Sequence, residues 1–99
     1  MEDNNIKACR VLFSGRVQGV FFRANAKKKA VFLELKGYVK NLDSGDVEML
    51  VIGNAAKVDA LISYCINGQP YAKVEKTSIK RLMPAEADPD KYKGFEIRQ

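Results

Sequence analysis

The order of its periodicities predicts that this chain folds as an α+β protein, with two helices on one face of an antiparallel sheet. Three observations carry the prediction. Strand-like segments fall at residues 8–14, 37–42, 47–52 and 72–82, apolar residues recur at helical spacing in the two longest intervals between them, and turn-forming residues separate the pieces.

Each element follows from its residues. In residues 8–14, Cys9, Val11 and Phe13 face one way and Arg10, Leu12 and Ser14 the other, the alternation of a half-buried strand. Phe22, Ala26, Ala30 and Leu33 lie at helical spacing with no Gly or Pro between them, so residues 22–35 read as the first helix. Residues 37–42 read as a second strand, and Asp43-Ser44-Gly45-Asp46 is a turn leading into the alternating run 47–52, which makes a hairpin. Asn54 is placed to cap a second helix, in which Val58, Leu61, Ile62 and Cys65 repeat until Asn67-Gly68 ends it. Residues 72–82 alternate again, with Val74 and Ile79 the most apolar. The stretch 84–93, rich in proline and acid, reads as a surface loop, and residues 95–98 as a short closing strand. The order βαββαβ with a small terminal strand is that of a ferredoxin-like sandwich.

A chain of 99 residues, 46% hydrophobic and 29% charged, has the composition of a globular protein. It is long enough to bury roughly 60–70% of its unfolded surface. The expected organisation is one domain over residues 1–99, with residues 1–7 a flexible extension. No apolar run approaches the roughly 18 residues of a membrane span, and residues 1–7 are too polar for a signal peptide, so a cytoplasmic protein with no membrane partner is expected. Cys9 and Cys65 are too few for a disulfide framework or a metal cluster and read as small buried side chains. The formal charge of +5 favours anionic partners, from a single phosphate to a nucleic acid. The absence of histidine removes the commonest acid–base group and the commonest metal ligand. Lys27-Lys28-Lys29 lies within the first helix and reads as a solvated face.

The candidate site is the run Gly15-Arg16-Val17-Gln18-Gly19-Val20-Phe21-Phe22-Arg23, which joins a strand to a helix through two glycines and closes on an arginine. Glycines let successive backbone N–H groups point into one concavity, the helix adds its positive N-terminal end, and a guanidinium adds charge with a two-pronged donor set. The run ends Gly-Val-Phe where a Walker A loop needs Gly-Lys-Ser/Thr, and it contains no cysteine to act as a phosphatase nucleophile.

The nine-residue run closely resembles the signature of the acylphosphatase family, and Gly37-Tyr38-Val39-Lys40-Asn41-Leu42 resembles its second motif. The resemblance continues through Gly45-Asp46-Val47-Glu48, Gly68-Gln69-Pro70 and Phe95-Glu96-Ile97. It implies a small ferredoxin-like enzyme that hydrolyses the carboxyl–phosphate bond of acyl phosphates without metal or cofactor. By position, Arg23 binds the phosphoryl oxygens, Asn41 orients the attacking water, and the amides of Gln18, Gly19, Val20, Phe21 and Phe22 cradle the phosphate. Inorganic phosphate or sulfate is expected at the same loop. The chemistry of these residue types agrees, because a leaving carboxylate whose acid has a pKa near 4 departs without a proton, which leaves only positioning and electrostatics to supply. The side chains of Phe21 and Phe22 read as core and loop anchors rather than substrate contacts, and Gln18 as a brace.

Three departures from the family pattern stand out. Leu33-Glu34-Leu35 replaces the usual Leu-Gly-Leu, so a left-handed Glu34 would cost on the order of 1 kcal/mol. Tyr38 stands in place of the commoner tryptophan. Val31 and Phe32 form a small exposed apolar patch on a chain otherwise expected to be monomeric. The alternative reading is a non-catalytic nucleic-acid- or phosphate-binding module on the same fold. Against nucleic acid, Val39 and Lys40 fall where an RNA-recognition signature wants a small residue and an aromatic.

Overall fold

In the computed structural model, which describes residues 5–83 and 85–99, the alternating segments pair into a single five-stranded sheet. The elements in chain order are β1 (Ile6–Arg16), α1 (Phe22–Phe32), β2 (Lys36–Asn41), β3 (Val47–Asn54), α2 (Ala55–Asn67), β4 (Lys73–Arg81), a 3-10 turn (Pro89–Lys91) and β5 (Phe95–Arg98). The spatial strand order is β4-β1-β3-β2-β5. Pairs β1–β3, β1–β4 and β2–β3 are antiparallel, as expected. The closing strand corrects the fully antiparallel expectation, since β5 runs parallel to β2, with Val39 opposite Ile97, and the sheet is mixed. The chain leaves β4 at one edge and reaches the free edge of β2 at the other, which no short hairpin turn can do.

One face of the sheet presents Cys9, Val11, Phe13, Val39, Val47, Met49 and Val51 to Phe22, Ala26 and Ala30 of α1 and to Val58, Leu61, Ile62 and Cys65 of α2, all buried in one cluster. Phe13 and Phe22 meet with ring centroids 5.1 Å apart, which ties the start of α1 to the central sheet. The other face is not left to water. Residues 82–83 and 85–94 cross it, burying Leu82 and Ala87 against Ala8, Leu50 and Ile52, with Tyr38 and Tyr92 packed alongside. The stretch expected to be only a surface loop is therefore a partial cover, although Pro84 lies outside the described residues.

Boundaries differ where backbone bonding decides them. Strand β1 starts at Ile6, so Ile6 and Lys7 belong to the sheet, opposite Asn54 and Gly53, whereas residues 1–4 of the expected extension lie outside the described residues. Helix α1 stops at Phe32, short of the expected Leu35. Its end is closed by Leu35 N–H donating to the Ala30 carbonyl and Glu34 N–H to the Val31 carbonyl, with Glu34 left-handed at φ 59°. Asn54 caps α2 as expected, its Oδ1 accepting from Lys57 N–H at 3.2 Å. Ile79 pairs with Val11 but is 55% exposed, because β4 is an edge strand. Cys9 and Cys65 are both buried free thiols.

Candidate active site

The loop between β1 and α1 departs from regular structure at Ser14/Gly15, where the β1–β4 register shifts. Gly15 has φ 120°, and a side chain there would collide with the backbone carbonyl of Lys73, so only glycine fits the turn away from the sheet. Gly19 at φ 73° and Phe21 at φ 65° then place two left-handed residues on either side of Val20. Left-handed residues interspersed in this way turn successive N–H groups toward one side of the chain, the geometry of an anion nest. Among the described residues, no carbonyl or side chain accepts from the N–H groups of residues 18–22, and the first helical bond here is Asn25 N–H to the Phe21 carbonyl. Unsatisfied donors at a helix start are a site waiting for an acceptor.

Three remote segments hold the loop in place. Gln18 Nε2 donates to the carbonyls of Leu42 at 2.8 Å and Asp46 at 2.9 Å, fastening the loop to the β2–β3 turn. Buried Gln69 donates Nε2 to the Phe22 carbonyl at 3.2 Å. Arg23 donates Nη1 to the Arg98 carbonyl of β5 at 3.0 Å, and it forms no ion pair among the described residues. Its charge is thus fixed in position without being neutralised. Arg98 is itself steadied, with its guanidinium 4.3 Å from the Tyr38 ring centroid and 5.7 Å from that of Tyr92.

Beside the loop is a cavity of about 300 Å³ lined by Val17, Gly19, Phe21, Phe22, Arg23, Ala24, Asn41 and Ile97. Asn41 comes from the end of β2 and Arg23 from the first turn of α1, so the two residues singled out from sequence meet here although 18 positions apart. Asn41 Oδ1 is buried with no hydrogen-bond partner among the described residues. Of the other loop residues, Gln18 turns its side chain to the hairpin and Val20 packs on the core, which leaves only their backbone to the site. Phe22 is buried as expected, but Phe21 is 70% exposed and is no core anchor. Sequence reasoning gave no site role to Gln69 or the Arg98 carbonyl. Both act from distant segments, on the Phe22 backbone and the Arg23 side chain, and no spacing rule marks such contacts.

Comparison with known proteins shows the family. The acylphosphatase family model matches residues 9–97. An acylphosphatase of Rubrobacter xylanophilus is 42% identical over 92 residues, covering 93% of this chain and 80% of that protein. One of Aeropyrum pernix is 39% identical over 99 residues, covering 99% and 93%. The solved acylphosphatase of Coxiella burnetii superposes with a TM-score of 0.82 at 36% identity, covering 95% of this chain and 94% of the other. Fold and relatives together define a small α+β hydrolase. The chain belongs to the acylphosphatase family.

Proposed function

We propose that this protein hydrolyses the carboxyl–phosphate bond of acyl phosphates by in-line attack of a water on phosphorus. The observation that carries the proposal is the unpaired Oδ1 of Asn41 on the same cavity as the Arg23 guanidinium. A buried amide oxygen without a donor accepts readily from a water brought beside it, because leaving it unmatched costs about 1–3 kcal/mol. The free N–H groups of residues 18–22 and Arg23 hold the phosphoryl oxygens, and Asn41 orients the water without taking its proton. The water oxygen bonds to phosphorus as the bond from phosphorus to the acyl oxygen breaks. The carboxylate leaves as an anion, and the proton of the water passes to a phosphoryl oxygen of the substrate. Nothing in this sequence of events calls for a histidine or a metal. Inorganic phosphate, the product, occupies the same cradle and competes with substrate.

The test is release of phosphate from acetyl phosphate in the presence of a chelator. Wild type turns over, and Arg23→Ala loses at least about 10²–10³ in kcat/KM, the cost of one transition-state donor. Binding of phosphate without turnover would instead make the chain a phosphate-binding module.

A further inference from the structure

Among the described residues that line the cavity, Arg23 is the single charged one. One guanidinium matches one phosphoryl group, and the wall beyond it is apolar, made by Val17, Phe21, Phe22, Ala24 and Ile97. An acyl group with a charge of its own finds no partner there.

Phe21 is exposed yet held. Its left-handed backbone sets the direction of its side chain, and its ring meets that of Tyr71 edge-on, with centroids 6.3 Å apart at 61°. Tyr71 is itself 66% exposed. Core packing does not account for two large rings side by side in solvent next to the phosphate cradle.

The in-line geometry says which part of the substrate meets them, since the attacking and leaving oxygens lie on opposite sides of phosphorus. Asn41 is on β2, whereas Tyr71 leads into β4, beyond β3 and β1 in the strand order. A water held on the Asn41 side expels the carboxylate toward the Phe21–Tyr71 side. We infer that the Phe21 ring, steadied by Tyr71, is the acyl subsite, and that it selects neutral apolar acyl groups, aromatic ones above all, over small or charged ones. This rests on the acyl phosphate reading above.

The experiment compares kcat/KM for benzoyl, acetyl and succinyl phosphate, the last carrying a free carboxylate, in wild type, Phe21→Asn and Tyr71→Ala. Asparagine tolerates the left-handed backbone and keeps the amide while removing the ring. Wild type prefers benzoyl to acetyl phosphate by about tenfold or more and disfavours succinyl phosphate, since a ring–ring contact adds about two- to tenfold to the gain from apolar burial. Phe21→Asn lowers the benzoyl-to-acetyl ratio about fivefold. Tyr71→Ala lowers it about two- to threefold. A ratio within 1.5-fold of wild type in Phe21→Asn, or in Tyr71→Ala should the first variant not fold, overturns the subsite. Wild type that turns over none of the three substrates overturns the hydrolase reading, so the two failures are told apart.

Discussion

Arg23 shows how a charge is kept available. A carboxylate partner would have neutralised it, but a backbone carbonyl only orients it, 3.0 Å from Nη1. Lysine would keep the charge without the planar fork, so Arg23→Lys is expected to recover less than tenfold of the activity that Arg23→Ala loses, measured as kcat/KM for acetyl phosphate. The thiols are a second case of a residue governed by its surroundings. Burial pushes Cys65 from its ordinary 9.0 up to about 12, opposed in part by the Gln69 amide, and burial raises Cys9 in the same direction. The unfolded chain therefore ionises first. Cys65 leaves stability intact below pH 9.0 and subtracts from it progressively as the pH rises toward 12. Urea unfolding of wild type should weaken more steeply over that range than that of Cys65→Ala, and equal slopes would contradict the burial argument. That Arg23 and Asn41 meet on one cavity was legible, because both lie in motifs that resemble those of the family. Gln69 and Arg98 were not, because one works through an amide to a backbone carbonyl and the other through its own carbonyl.

Helix α1 records how local rules and their exceptions coexist. Its buried stripe of Phe22, Ala26 and Ala30 was plain in the sequence, but its end was not, since helical spacing alone continues through Leu33. The stop is made by Glu34 at φ 59°, a conformation that costs a non-glycine residue about 1–2 kcal/mol. What Glu34 gains in return is small, because its contact with Lys57 at 3.7 Å joins two exposed side chains. Glu34→Gly is expected to raise stability by about 1 kcal/mol and the melting temperature by about 4–8 °C, measured by thermal unfolding, with turnover unchanged. The loop between β1 and α1 carries the same kind of strain at Phe21, and there it shapes the candidate site. The segment 82–94 was the least legible element. Its prolines and acids mark it as irregular, and only the fold reveals that Leu82 and Ala87 close the second face of the sheet.

At the scale of the whole molecule, the strand order explains why the site is where it is. Arg23 at the start of α1, Asn41 at the end of β2 and Ile97 on β5 line one cavity, and Gln18 and Gln69 tie the loop to the β2–β3 turn and to the segment before β4. The ferredoxin-like arrangement was readable from element order, whereas the parallel docking of β5 was not, because four residues carry no signal of direction. That docking supplies the carbonyl that orients Arg23, so the least legible strand completes the most legible site. The central claim is that water attacks phosphorus and the carboxylate leaves intact. Hydrolysis of acetyl phosphate by the wild-type protein in water enriched with heavy oxygen tests it most directly, by mass spectrometry of both products. The account predicts one labelled oxygen in the inorganic phosphate and none in the acetate, and label appearing in the acetate would contradict it.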